Sequence, residues 1–157
     1  MKKVAIFVDV QNIYYTTRDT YGRPFNYRQF WFAIEQEYDI VAAYAYAIDK
    51  DDVSQQKFQS ALRHIGFNVK LKPFIQRRDG SAKGDWDVGI TIDVLKHAPD
   101  VDEVILLSGD GDFAILLDEL RDTHQVSSQV FGVLDLTAGA LIEAADEYAP
   151  IEKRHLL

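Results

Sequence analysis

The stretch Lys3-Val4-Ala5-Ile6-Phe7-Val8-Asp9-Val10-Gln11-Asn12 carries five consecutive apolar residues and then, at once, a carboxylate. A strand with one face in water alternates apolar and polar side chains, so an unbroken apolar run marks a strand covered on both faces. Glu103-Val104-Ile105-Leu106-Leu107 reads the same way and is followed by Ser108-Gly109-Asp110-Gly111-Asp112-Phe113. Further strands are expected over Ile40 to Ile48, Phe67 to Leu71 and Val126 to Val133. Helical patterning covers Tyr27 to Glu37 with Asn26 as its cap, and Asp52 to Ile65 ended by Gly66. More helices are expected from about Asp85 to Ala98, from Asp112 to Asp122 and from Thr137 to Ala145, with a polar loop from Pro73 to Gly84. Strands alternating with helices of this length give an α/β fold, a mostly parallel central sheet with helices on both faces.

The 157 residues contain no internal repeat and no Pro/Gly/Ser linker, and read as one domain over 1–157. With no cysteine, disulfides and thiolate metal sites are excluded. No apolar run approaches the roughly 20 residues of a membrane span. The opening Met1-Lys2-Lys3 turns acidic too soon for a signal peptide, so the expected location is cytoplasmic and no membrane partner is expected. A homo-oligomer is compatible with the sequence, which has no feature fixing one. The net charge of −8 opposes a nucleic-acid partner at first sight. Against it stands a local basic strip, Lys70, Lys72, Arg77, Arg78 and Lys83, interrupted by Asp79 alone.

In open α/β sheets, ligands bind outside the carboxyl ends of the strands, where the strand order reverses. Asp9, Asp110 and Asp112 all follow directly on buried strands and share that rim if the strands are parallel. Any one of them alone reads as a cap or a turn former. Gathered together they repel and raise one another's pKa, and a hard divalent cation with oxygen ligands relieves that repulsion. Gly109 and Gly111 are expected to let the backbone bend and aim both carboxylates inward. A further acid comes from Lys83-Gly84-Asp85-Trp86-Asp87 at the entrance to an apolar helix, where Asp85 suits a cap and Asp87 a first-turn acid. Asp93 stands between Ile92 and Val94 and needs a partner of its own. It lies about 9 Å along and about 120° around the helix from Asp87, so both are not expected on one metal. Asp87 is the expected ligand, with Asp93 behind it as an orienting or purely structural acid.

Val8-Asp9-Val10-Gln11-Asn12, Lys83-Gly84 with Asp87 shortly after, and Leu107-Ser108-Gly109-Asp110-Gly111-Asp112-Phe113 together resemble the three signature blocks of NYN domains. The likeness is to the LabA-like (DUF88) branch of the PIN-like nuclease superfamily, and it extends over nearly the whole chain to Val130-Phe131-Gly132 and Leu141 to Tyr148. The resemblance implies a Rossmannoid PIN-like three-layer sandwich with a Mg²⁺ or Mn²⁺ site, and ribonuclease activity as found in several relatives. Carried over by position, Asp9 and Asp110 would be metal ligands, with Asp112 and Asp87 completing the acidic cluster. Asn12 would orient Asp9 or touch a phosphate, and Ser108 would steady the turn. Asp85-Trp86 adds one residue between the Lys-Gly pair and the acid compared with many relatives, which leaves Asp85 and Asp87 both open, the other supporting from behind.

The expected reaction is metal-dependent hydrolysis of a phosphodiester, with single-stranded RNA as the nucleic-acid partner. Lys83 would neutralise a phosphate oxygen, while Tyr14, Tyr15 and Trp86 stand close enough to the acidic blocks to stack on bases. Two other readings compete. A catalytically silent scaffold binding nucleic acid or protein would carry the same acids. A nucleotide-binding module is suggested by Gly109-Asp110-Gly111-Asp112-Phe113-Ala114, which matches G-x-G-x-x-A with Asp135 downstream. Two carboxylates inside that motif would face a pyrophosphate of the same sign, and the motif follows the fourth strand rather than the first.

Overall fold

A computed structural model of the chain describes residues 1–73 and 85–157, together with the backbone of 75–76 and 82–83. In chain order the elements begin with β1 (Lys2–Asp9), α1 (Val10–Tyr21), α2 (Tyr27–Glu37), β2 (Tyr38–Asp49), α3 (Val53–Ile65) and β3 (Asn68–Pro73). A short antiparallel pair follows, β4 (Ile75–Gln76) and β5 (Ala82–Lys83), then α4 (Asp87–His97) and β6 (Glu103–Leu107). The chain finishes with α5 (Ala114–His124), β7 (Ser127–Gly132), α6 (Gly139–Ala144) and β8 (Glu147–Pro150).

The sheet has the order β3-β2-β1-β6-β7-β8, and every neighbouring pair is parallel. β1 is central: Val4 to Val8 are all fully buried, as the continuous apolar run requires. Its alternate side chains feed two cores. Val4, Ile6 and Val8 pack beneath α1, α2 and α3, while Ala5 and Phe7 pack beneath α4, α5 and α6. The result is a three-layer α/β/α sandwich. The chain moves outward from β1 through β2 to β3, then returns to β6 on the other side of β1. The reversal of strand order therefore falls between β1 and β6. Among the described residues no helix is long and apolar enough to cross a membrane.

Four elements depart from the sequence reading, α1, β8 and the β4–β5 pair. α1 fills the interval between Asp9 and Tyr27, where no helix was expected. Its buried face is Val10, Ile13, Thr16 and Thr17, so half of it is polar by residue type. The two threonine hydroxyls are satisfied inside the helix, Thr16 donating to the Asn12 carbonyl at 2.8 Å and Thr17 to the Ile13 carbonyl at 2.7 Å. Back-bonded threonine can thus occupy a core face without an unpaired polar group, and it leaves no apolar periodicity to read. β8 was missed because it is a four-residue edge strand ending in Pro150, a composition that signals loop rather than strand. The loop expected over 73–84 begins inside β3 at Pro73 and contains the β4–β5 pair, and its other residues lie outside those described.

β7 ends at Gly132, whose carbonyl accepts from the Tyr148 hydroxyl at 2.9 Å and the Ile151 amide at 2.8 Å. A Cβ at this position would lie 2.5 Å from Thr137 Oγ1 and 3.1 Å from the Ser108 carbonyl. Thr137 cannot swing aside cheaply, because its hydroxyl bonds the Val133 carbonyl and Tyr148. Gly132→Ala is expected to cost about 1–3 kcal/mol through overpacking, read as a lower urea midpoint at unchanged m-value.

Candidate metal centre

The β1–β6 reversal places two carboxylates on one rim. In the register Val8 stands opposite Leu107, so Asp9 and Ser108 come level one residue later. Ser108 is fully buried; its hydroxyl donates to Asp9 Oδ2 at 3.0 Å and accepts from the Asp110 amide at 3.1 Å. One hydroxyl therefore ties both acid-bearing segments together. A second tie runs alongside, the Gly109 amide donating to Asn12 Oδ1 at 2.9 Å. Asn12 thus holds the turn after β6 against the first turn of α1.

Gly109 and Gly111 serve space rather than bending, since neither takes a positive φ. A Cβ on Gly109 would stand 2.6 Å from the Leu136 carbonyl, and one on Gly111 2.8 Å from Ala138 Cβ. The segment entering α6 presses directly on this turn and is fixed by the Ala138 amide donating to the Gly109 carbonyl at 3.0 Å. Nothing in the composition of Leu136-Thr137-Ala138 signals that supporting role. The same contacts fill the space in which the glycines of a dinucleotide fingerprint admit a pyrophosphate, so the G-x-G-x-x-A match does not form such a cradle.

The third acid arrives from the opposite layer. Asp87 opens α4, with Trp86 at the cap position and Asp85 Oδ1 accepting the Asp87 amide at 3.2 Å. Asp9, Asp87 and Asp110 each offer a carboxylate oxygen such that all three lie within 4.8 Å of one another, each half-buried. Burial pushes the Asp9 carboxyl up to about 6, opposed by the Ser108 hydroxyl and the Asn12 backbone and reinforced by the charges of Asp110 and Asp85. Asp87 rises further, to about 7, again first through burial and then through its hydrogen bond and charge contact with Asp110. An all-oxygen donor set, crowded and reluctant to ionise fully, fits a hard divalent cation such as Mg²⁺ or Mn²⁺, and would bind soft metals poorly.

The other expected residues distribute around this centre. Asp112 is exposed beside it, its amide donating to Asp110 Oδ1 at 2.9 Å, and its carboxylate is not one of the three gathered oxygens. Asp85 is exposed at the rim. Asp93 is buried away from the cluster, its Oδ2 accepting from Lys70 Nζ at 2.6 Å and from the Tyr46 hydroxyl at 2.7 Å. Trp86 is committed to the fold: its indole donates to the Ala47 carbonyl at 2.9 Å and its ring packs on Tyr46. Lys72 Nζ lies 4.5 Å over the Trp86 ring. Lys70 and Lys72 consequently turn inward onto α4 rather than forming an open basic strip. Tyr14 is 53% exposed on α1, edge-on to Tyr15, with the Arg18 guanidinium beside both rings. The side chain of Lys83 and the residues Arg77 and Arg78 lie outside those described.

A carboxyl whose folded pKa exceeds its unfolded value binds its proton more tightly in the folded state. It therefore costs the metal-free protein stability as pH rises from about 4 through about 7, and the cost is complete above that window. Asp87→Asn removes this contribution. At pH 8 without metal the variant is expected to melt about 2–4 °C above the parent, on the order of 1 kcal/mol after allowing for solvent screening. The advantage should vanish near pH 4, and Mn²⁺ should stabilise the variant far less than the parent. Differential scanning calorimetry at both pH values, with and without Mn²⁺, reads all three outcomes.

Residues 3–152 match the family model of the NYN domain. Over 154 residues the chain is 32% identical to the low amplitude and bright protein LabA of Synechococcus elongatus, covering 93% of this chain and 82% of that protein. A crystal structure of a protein of unknown function from Vibrio parahaemolyticus superposes with a TM-score of 0.94 at 52% identity, covering 99% of this chain and 96% of that one. Fold, acidic rim and whole-length likeness agree, and the chain belongs to the NYN domain family, in its LabA-like branch.

Proposed function

We propose that this protein is a metal-dependent phosphodiesterase that cleaves single-stranded RNA in the cytoplasm, with Mg²⁺ or Mn²⁺ held by Asp9, Asp87 and Asp110. The observation that carries the reading is the convergence of those three carboxylates, from two strand ends and one helix start, at the reversal of strand order. Structural acids are ordinarily kept apart or paired with cations; three gathered with no ion pair to a cation among the described residues favour an ion. Once bound, the ion would supply Lewis acidity toward a phosphate oxygen and lower the pKa of a coordinated water.

The chain's own residues do the rest. Ser108 fixes the rotamer of Asp9 and the backbone of Asp110 together, so the two ligands move as one. Asp87, which holds its proton up to near neutrality in the metal-free protein, would release it on taking up the ion. Asp112, exposed beside Asp110, completes the acidic rim as a ligand through water or as a further acid-base group. Tyr14 offers its exposed ring to a base next to the reacting phosphate, with Tyr15 and Arg18 behind it. Lys83 is assigned to a phosphate oxygen on sequence grounds. Trp86 is no longer assigned to stacking, since both its indole N–H and its ring are already engaged.

Labelled single-stranded RNA and DNA, incubated with Mn²⁺, Mg²⁺ or EDTA, test the reading. Cleavage of RNA by the parent is expected with metal and not with EDTA. Asp110→Asn should lower the rate by about 100-fold or more, beyond the 10–100-fold typical of a residue that only orients a ligand. Tyr14→Ala should raise KM about tenfold at nearly unchanged kcat, the loss of one base stack. A folded parent that binds RNA but cleaves nothing under any metal would replace the nuclease by a silent binding scaffold.

A further inference from the structure

Helix α4 delivers Asp87 to the centre at the end of a long connection from β3. Residues 74–86 separate it from Pro73, well beyond the 2–6 residues usual for such a junction. Apolar contact alone is also a loose determinant. Ile90 and Val94 bury against the sheet, but hydrophobic contact has no direction and tolerates sliding. What gives α4 a direction is a set of polar tethers to β2 and β3. Tyr46 and Lys70 are register partners on adjacent parallel strands, so both point to one spot, and that spot is Asp93 Oδ2. Two residues along β3, on the same face, Lys72 donates to the Asp85 carbonyl at 3.0 Å. Trp86 reaches the Ala47 carbonyl, and at the far end His97 Nε2 meets the Tyr44 hydroxyl at 3.2 Å.

The Asp93 grip differs from the others in kind. It is an ion pair, with Asp93 only 7% exposed and Lys70 partly exposed, and the Asp93 oxygen takes two donors at short distance. A buried ion pair contributes little net stability against an apolar replacement, so its value lies in the geometry it enforces. We propose that Tyr46 and Lys70, by gripping Asp93 in the middle of α4, set the register at which Asp87 meets Asp9 and Asp110, making Asp93 a positioning residue for the metal centre. This rests on the metal reading of that centre. Asp93 itself touches none of the three acids. Asp87 opens the same helix, so a slide of α4 along the sheet would carry it out of the 4.8 Å cluster.

The test titrates Mn²⁺ alone into parent, Asp93→Ala, Asp93→Asn and Lys70→Met/Asp93→Leu proteins by isothermal calorimetry. Leu62→Ala, a buried core position on the opposite face of the sheet, serves as a variant that is destabilised only. Asp93→Ala is expected to weaken Mn²⁺ binding about tenfold, and Asp93→Asn, which keeps an acceptor for Tyr46, by less. The Lys70→Met/Asp93→Leu protein removes the ion pair but leaves the Tyr46 hydroxyl without its acceptor, so it should melt below the parent, no further than Leu62→Ala, and still lose affinity. Leu62→Ala should bind as the parent does. Parent-like affinity in the folded Asp93 variants, or an equal loss in Leu62→Ala, overturns the proposal. If the parent binds no Mn²⁺, the metal reading fails, and the grip is judged on metal-free crystal structures. Asp87 displaced from Asp9 and Asp110 in the Lys70→Met/Asp93→Leu protein upholds it; Asp87 unmoved sinks it.

Discussion

Mutual repulsion among Asp9, Asp87 and Asp110 is the constraint around which the molecule is arranged. Three carboxylates within 4.8 Å destabilise any chain that brings them together, and the surrounding structure has to hold them there against that force. Two come from neighbouring strands of a rigid parallel sheet, where Val8 and Leu107 are locked in register and fully buried. The third comes from a helix in the other layer, whose first-turn amides favour negative charge. Raised proton affinity at Asp9 and Asp87 is the visible cost of this arrangement, and it is relieved only by protonation or by a cation.

The connection between site and fold explains several residues that look incidental in isolation. Ser108 is small, polar and fully buried because it bridges Asp9 to the Asp110 amide. Gly109, Gly111 and Gly132 are small because the segment from Leu136 to Ala138 passes directly over the turn after β6. That segment, with Tyr148 bonded to Thr137, links the edge of the sheet to the acidic rim. Residues 132–148 thus buttress a centre whose three acids all lie earlier in the sequence.

The fold was legible wherever one physical signal acted alone. Val4 to Val8 and Val104 to Leu107 could only be covered strands, and their alternation with Asn26-capped and Gly66-terminated helices implied a parallel sheet. Legibility failed where a tertiary contact replaced the local signal. Thr16 and Thr17 line the buried face of α1 by bonding back to their own helix, and Pro150 ends a strand that only needs one neighbour. For the centre, strand-end position pointed to Asp9, Asp110 and Asp112 alike and could not tell that Asp112 stays outside the gathered three, while the choice between Asp85 and Asp87 required the helix start to be known to the residue. Trp86 and Lys72 were beyond reach for another reason: an aromatic or a lysine has the same appearance in sequence whether it faces a ligand or another element of the chain.

That last point bears on how a chain of net charge −8 would meet a polyanion. Lys70 and Lys72, the first two cations of the apparent basic strip, are spent on Asp93 and on the Asp85 carbonyl and Trp86 ring. They stabilise the acidic centre from behind instead of attracting phosphate from in front. These two cations therefore add little to nonspecific electrostatic affinity, which grows with the number of phosphates a protein neutralises. On the proposed function, attraction would be local, through an ion at the centre, Lys83 and stacking at Tyr14. A surface of this kind favours a short, unpaired stretch of chain whose bases can reach an aromatic ring, and disfavours duplex, whose charge density would meet the exposed Asp85 and Asp112 without compensation.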